Sequence, residues 1–306
     1  MRLWARSVRH PFFDAERPLV FAHRGGAALA PENTIVAFDR GLALGADGLE
    51  LDVHLSRDGV PVVHHDATLE RTTNLRGHVA ALTADELRRA DAGYHFQNGG
   101  APSFRGRGHG IPRLDEVLER YPDTRIIIEM KDNRAALATA VLDVVRAARA
   151  FDRVCLGSFR LHVLRAARAA QPGLATSAAQ EEVRWALYRS WIRWPVKRVS
   201  YLGYQVPEVA GRTRVVSQRF VEMAHDARQW PAVVQKLATL RPMALASNLP
   251  ADIAGALGQS PTYPSVTLRM DFRDPNIAGT FMYQCHILDH GDGGMMAKIK
   301  VEPQTK

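Results

Sequence analysis

Cysteine is scarce in this chain of 306 residues, which contains only Cys155 and Cys285. The two lie far apart in dissimilar contexts, so we predict no disulfide framework and a reducing compartment. The N-terminal segment MRLWARSVRHPFF also lacks the apolar run that a signal peptide or a membrane span requires. A cytoplasmic protein is the expectation.

The chain lacks internal repeats and low-complexity segments as well, and 46% of its residues are hydrophobic. A chain of this size and composition can bury a full core, as one large barrel or as two ordinary domains. Its net charge of +8 favours anionic partners such as phosphates, lipid head groups or nucleic acid. Arginines that merely cover solvated helical faces would also explain this charge.

Short β-branched apolar runs alternate with longer helical stretches from about residue 18 onward. The predicted strands cover 19–23, 48–55 and 125–131, and the predicted helices cover 33–45 and 134–149. This alternation indicates βα units around a parallel sheet. Residues 54–110 are too many for an ordinary βα connection, and loops of that length are usually functional or disordered.

Two carboxylates occur at strand spacing in LELDV, where Glu50 and Asp52 would project from one face. Because Mg²⁺ and Ca²⁺ take oxygen ligands, this pair is a candidate metal site. Glu129 and Lys131 repeat the spacing after an apolar run. A shared metal ion would give Glu129 a partner, and Lys131 could hold an anionic substrate oxygen. Ordinary surface ion pairs would also produce both patterns.

Histidines accompany these carboxylates. His23 and Arg24 end the first predicted strand, and the two glycines that follow let the backbone approach a ligand closely. In a barrel of parallel strands, polar residues at this position line the active-site face. The second histidine is His64 or His65 in PVVHHD, and the residues alone leave this choice open. Two such histidines could divide the proton transfers of phosphodiester cleavage.

Six motifs in one order and spacing closely resemble the glycerophosphodiester phosphodiesterase family. They are HRGG at 23–26, PENT at 31–34, ELD at 50–52, HHD at 64–66, RTTN at 71–74 and EMK at 129–131. The resemblance runs from about residue 18 to residue 225. It implies an α/β fold, a (β/α)8 TIM barrel with an insertion after the second strand, in a domain that would span residues 18–258.

The resemblance also implies roles for single residues. Glu50, Asp52 and Glu129 match the family's metal ligands. His23 and His65 match its acid and base, and Arg24 and Lys131 match its phosphate contacts. The family's His-Asp pairing selects His65 over His64. The metal would be Mg²⁺ or Ca²⁺.

We therefore expect metal-dependent hydrolysis of a glycerophosphodiester or lysophospholipid to an alcohol and glycerol phosphate, with no nucleic-acid partner. The alternative is an inactive or poorly folded barrel that binds phosphate or lipid head groups without turnover. Metal-dependent activity would separate the two hypotheses.

The C-terminal part departs from the family pattern. The segments expected for the last two barrel strands are not recognisable, although 243–258 resembles a degraded form of the first. An incomplete barrel would expose sheet edges and apolar faces. After about residue 260, runs such as GTFMYQCHI and MMAKIKVEP predict antiparallel strands, so we expect a β-rich tail at 259–306.

Residues 266–302 closely resemble the end of multicopper oxidases. In that family Cys285, His290 and Met295 would match ligands of the mononuclear copper. Gln284, however, stands where that family has a histidine, and no His-x-His pair occurs in the chain. Copper oxidase activity is therefore not expected.

Residues 184–198 interleave aromatic and basic side chains in RWALYRSWIRWPVKR. Leu187, Trp191 and Trp194 are expected on one helical face, as in segments that rest on a lipid interface. Peripheral membrane contact through this segment is one hypothesis. A helix that packs its aromatic residues on the barrel is the more ordinary interpretation.

Overall fold

The computed structural model describes residues 10–14, 19–27, 29–98, 101–102, 104–192, 199–206, 209–210, 213–215, 217, 219–220, 279–284 and 296–301. The strands are β1 (Phe21–His23), β2 (Gly48–Leu55), β3 (Pro61–Val63), β4 (Gln97–Asn98), β5 (Ala101–Pro102), β6 (Arg125–Met130), β7 (Val154–Gly157), β8 (Ala175–Thr176), β9 (Val209–Ala210), β10 (Thr213–Arg214), β11 (Gly279–Gln284) and β12 (Met296–Val301). The helices are α1 (Ile35–Ala43), α2 (Ala84–Arg88), α3 (Leu114–Arg120), α4 (Ala135–Ala147), α5 (Leu161–Ala170) and α6 (Gln180–Trp191), with 3₁₀ turns at Pro11–Phe13, Val79–Ala81 and Phe151–Arg153.

The main sheet confirms the predicted α/β class. Its parallel strands follow the order β1-β2-β6-β7-β8, and β3 pairs with β2 in the antiparallel sense. A parallel bridge from Ser177 to Gly203 adds the 201–206 segment beside β8. Within the described residues this is the first part of an α/β barrel, with an insertion after β2, and the barrel is incomplete.

Alternation along the strands separates two layers. On the outer face, Leu49, Leu51 and Val53 join the core formed with the helices. On the inner face, Phe12 of the N-terminal 3₁₀ turn packs with Phe21 in a smaller cluster. The remaining buried members of that cluster are Leu19, Ile127, Cys155 and Ala175. This apolar layer leaves the carboxyl ends of β1, β2 and β6 to the polar residues described below.

The insertion that separates β2 from α3 is folded. It contains β3, α2 and the β4–β5 hairpin, and it has its own small core that includes Leu69, Val79 and Leu87. Thr83 and Glu86 form a capping box, in which each side chain binds the other's backbone N–H, and this fixes the start of α2. The segment can therefore hold side chains in fixed positions over the sheet.

In the tail, β11 and β12 form an antiparallel pair in which Gly279 faces Val301. The predicted antiparallel strands are confirmed at these positions. The boundary at 258/259, the 243–258 segment and the proposed copper ligands Cys285, His290 and Met295 lie outside the described residues, so those predictions stay predictions. Among the helices described, none is long and apolar enough to cross a membrane.

Candidate active site

Strand register brings the predicted acidic residues together. His23 of β1 is aligned with Glu50 of β2, and Asp52 of β2 is aligned with Glu129 of β6. Aligned residues of parallel strands project to the same side, so all four side chains share the inner face near the carboxyl ends. The three carboxylate residues are buried, with 8%, 1% and 7% of their surfaces exposed for Glu50, Asp52 and Glu129.

Asp52 is held by cations and by an amide. Its carboxylate lies 2.9 Å from the Lys131 Nζ and 3.4 Å from the Arg24 Nε. The Asn33 side chain donates to Asp52 Oδ2 at 2.9 Å and accepts from the Asp52 backbone N–H at 3.2 Å. Burial alone would raise the pKa of Asp52, but Lys131, His65 and Arg24 outweigh it and hold the pKa well below its usual range. Asp52 is therefore ionised.

The other two carboxylates are less well compensated. Burial, with the neighbouring charge of Asp52, raises the pKa of Glu50 to about 8 and that of Glu129 to about 7. Glu50 accepts the Arg24 backbone N–H at 3.1 Å, and the His23 Nε2 lies 3.8 Å from its Oε2. Near neutral pH each glutamate holds a proton or requires an additional cation.

The donor set fits a hard divalent cation, because among the described residues three buried carboxylates meet two permanently charged basic side chains, Lys131 and Arg24. In the part of the chain that the structure describes, however, no three acidic, histidine or cysteine side chains form a group that could hold a metal as they stand. Asp52 binds Lys131 instead. Binding an ion would therefore require these carboxylates to converge.

The structure gives different surroundings to His64 and His65, between which the residues alone did not choose. The His65 Nδ1 lies 2.5 Å from Asp66 Oδ1, and the ring is close enough to Asp52 that its positive charge, when it is protonated, lowers the pKa of that carboxyl. His64 is buried in the insertion, where its Nε2 lies 3.1 Å from the Thr68 carbonyl oxygen. His65 is thus the histidine that faces the acidic cluster.

A chain of ion pairs links the insertion to the end of β1. Arg71 donates from Nε to Asp66 at 2.6 Å and from Nη1 and Nη2 to Glu32 at 2.9 and 2.6 Å. Glu32 in turn lies 3.2 Å from the Arg24 Nη1. This series of ion pairs therefore runs from Arg24 to Asp66, and Asp66 contacts the His65 ring. It connects two loops that are far apart in sequence.

Three residues that make these contacts, Asn33, Glu32 and Arg71, were not identified as site residues from the sequence. The predicted helix began at Asn33, but Thr34 is the N-cap of α1, and its hydroxyl accepts the Ala37 N–H. Asn33 instead adopts φ +56° and directs its amide to Asp52. Glu32 and Arg71 lie within the motifs PENT and RTTN, which carried the resemblance but did not indicate this pairing.

Gly157 of β7 lies against the site. A Cβ at this position would stand 2.2 Å from Glu129 Oε2 and 2.6 Å from Gln205 Oε1, so both side chains occupy the space that glycine leaves open. We expect Gly157→Ala to push these mobile ends aside without disrupting the core. If Glu129 is the metal ligand that the resemblance implies, activity should fall roughly 10- to 100-fold, as is typical when the support of a metal ligand is displaced. The melting temperature should stay near that of wild type. An unchanged kcat/KM would show that the Glu129 position is not critical.

The fold and the site define an α/β-barrel protein with acidic and basic groups clustered at the carboxyl ends of its strands. Residues 23–234 match the model of the Glycerophosphoryl diester phosphodiesterase family, and the chain belongs to this family. A second, short match, to the Multicopper oxidase model, covers residues 260–305.

Individual relatives agree with this assignment. A glycerophosphodiester phosphodiesterase from Caldanaerobacter subterraneus is 39% identical over 163 residues, which cover 52% of this chain and 65% of that protein. A mouse lysophospholipase D is 39% identical over 127 residues, which cover 41% of this chain and 40% of that protein. The chain therefore spans less than two thirds of the length of these curated relatives.

Solved structures show the same fold. The glycerophosphoryl diester phosphodiesterase domain of a Mycobacterium tuberculosis protein superposes with a TM-score of 0.58 at 25% identity, covering 68% of this chain and 83% of that one. A glycerophosphodiester phosphodiesterase from Agrobacterium tumefaciens gives a TM-score of 0.56 at 27% identity, covering 73% of this chain and 91% of that one.

Proposed function

We propose that this protein hydrolyses glycerophosphodiesters to an alcohol and glycerol phosphate, with a divalent metal ion and with His23 and His65 as acid and base. The observation that carries the proposal is the shared inner face on which His23 and the three carboxylates meet beside Lys131. Family membership and the names of the relatives support the same reaction.

Glu50, Asp52 and Glu129 would hold the ion, which supplies positive charge to the phosphoryl oxygens when bound. Lys131 would bind a phosphoryl oxygen. Burial alone would lower its pKa, but Asp52 and Glu129 outweigh burial and raise it, so Lys131 stays charged. Arg24 adds a second positive charge beside Asp52.

The histidines would carry the proton transfers. The hydrogen bond from His65 holds the pKa of Asp66 below its usual range, so Asp66 is ionised and can only accept. The His65 Nδ1 would therefore carry the proton, and its Nε2 would accept one from the attacking hydroxyl as that oxygen bonds to phosphorus. His23 would donate a proton to the alcohol oxygen as its bond to phosphorus breaks.

The full-length chain should be assayed on a panel of glycerophosphodiesters, including glycerophosphocholine, with Mg²⁺, Ca²⁺ or chelator. We expect metal-dependent release of glycerol phosphate that a Glu50→Ala variant lacks. A folded protein that binds phosphate but releases no product from any diester would instead support the non-catalytic alternative.

We also propose peripheral membrane contact through α6. Trp185, Tyr188, Trp191 and Ile192 are 65%, 52%, 51% and 52% exposed, and Arg184 is exposed beside them. Leu187 was predicted to lie on the same face as the tryptophans. It instead packs against the cluster around Tyr201 and Phe220. Trp194 lies outside the described residues. Exposed aromatic rings with adjacent arginines suit the interface of an anionic bilayer.

Co-sedimentation with vesicles containing phosphatidylglycerol tests this contact. The Trp185→Ser/Trp191→Ser variant should pellet less than wild type, since both rings are already exposed to solvent and their loss should leave the fold intact. Vesicles of phosphatidylcholine alone should bind less of either protein. Equal pelleting of variant and wild type on the anionic vesicles would remove the membrane hypothesis.

A further inference from the structure

Two cavities are lined in part by Lys131, which follows β6. The first, of about 280 Å³, is lined by Lys131, Ser158, Phe159, Arg160 and Gln180. The second, of about 330 Å³, lies between the insertion and the loop at 131–134 and is also bordered by Arg160. Ligand pockets usually measure roughly 300–1,000 Å³, so these cavities suit a polar headgroup rather than a long acyl chain.

Arg160 differs from the other cations that line the cavities. Lys131 is paired with Asp52, and Arg134 forms several hydrogen bonds to Asp132. The Arg160 guanidinium makes no hydrogen bond or ion pair with any residue that the structure describes. Its backbone is bound, because the N–H donates to the Ser158 hydroxyl at 3.2 Å and the carbonyl oxygen accepts from the first turn of α5. Among the described residues, therefore, no side chain neutralises its charge.

Arg160 lies where its charge would act on the substrate's alcohol group in whichever of the two cavities that group binds. If Lys131 binds the phosphodiester, the alcohol group occupies one of the two adjacent cavities, and Arg160 borders both. A guanidinium attracts and can bind a phosphate or carboxylate through two parallel hydrogen bonds, whereas it repels an ammonium group. Asp132, the acidic residue of the second cavity, is already bound by Arg134.

We propose that Arg160 is a specificity-determining residue that selects glycerophosphodiesters whose alcohol group carries a further negative charge, such as a phosphorylated polyol. The proposal rests on the proposed phosphodiesterase function and names its substrate class. Quaternary ammonium alcohols such as choline would be disfavoured substrates of the same site.

A matched pair of substrates tests the proposal: glycerophosphoinositol 4-phosphate and glycerophosphoinositol share a ring and differ by one phosphate. Wild type should prefer the phosphorylated substrate, and Arg160→Gln should reduce the ratio of the two kcat/KM values roughly fivefold, the size expected for an exposed charge pair. Arg160→Lys should retain part of the preference. Arg165→Gln removes the same charge from an exposed position on α5 that lines neither cavity, and it should leave the ratio unchanged.

Binding separates failure of this proposal from failure of the proposed function. Calorimetry with both substrates on His65→Ala, with and without Arg160→Gln, measures the same preference without turnover. A preference for the phosphorylated ligand that Arg160→Gln reduces would support the proposal even if wild type hydrolysed neither substrate. Equal affinities for both ligands, or a preference that survives Arg160→Gln, would overturn it.

Discussion

Replacing His65 with alanine is expected to lower kcat on glycerophosphodiesters by about 10²- to 10⁴-fold, the range typical for loss of a general acid or base. The fold should remain intact because His65 is only half-buried and its ring binds Asp66 rather than packing in the apolar core. Asp66 contacts the ring at Nδ1, and in the proposed mechanism Nε2 is the atom that serves the substrate. Steady-state kinetics with circular dichroism on the same preparation would measure both effects.

His64 provides a control at the adjacent position. Its side chain is buried and contacts the Thr68 carbonyl oxygen, and burial lowers its pKa, so it serves the packing of the insertion. We expect His64→Ala to lower the melting temperature while the folded protein keeps most of its kcat. If His65→Ala retained wild-type turnover, or if the two variants exchanged these effects, the assignment of His65 would be wrong.

The sequence was sufficient to predict the positions of the strands that carry the site. β2 begins and ends where predicted, and the spacing of Glu50 and Asp52 placed both carboxylates on one face because strand geometry alone determines that face. The register that sets Asp52 beside Glu129 depends on how two strands pair. It could be expected from the parallel βα pattern but not assigned residue by residue.

The contacts that orient these groups were not predictable in the same way. Arg71 and Glu32 are 39 residues apart and meet only because the insertion folds back over β1. Gln205 comes near Glu129 because the 201–206 segment follows β8, and no local pattern marks it. Such contacts depend on the tertiary path of the chain, whereas propensity and periodicity describe only neighbours in sequence.

The metal-free protein should become less stable as the pH rises from about 5 to about 8. In the unfolded chain Glu50 and Glu129 titrate near their ordinary pKa, about 4.5, whereas in the folded protein their pKa values are raised to about 8 and about 7. Between the unfolded-state and folded-state pKa values of each glutamate, the folded protein holds a proton that the unfolded chain has released. The free energy of unfolding therefore falls as the pH rises. The lowered pKa of Asp52 acts below this window. The total loss should be on the order of a few kcal/mol.

Thermal unfolding in chelator across this pH range, repeated with Mg²⁺ or Ca²⁺, tests both the titration and the metal assignment. Carboxylate ligands must be deprotonated, so an ion that they bind should raise the melting temperature more at pH 8 than at pH 5. The Glu129→Gln variant lacks this titrating carboxyl, so its melting temperature in chelator should depend less on pH than that of wild type. This comparison separates the role of the Glu129 carboxyl from a general effect of charge. Since Asp52 already has cationic partners, the two glutamates should account for most of the pH-dependent stabilisation by metal. A metal effect of equal size at both pH values would argue that the ion binds elsewhere.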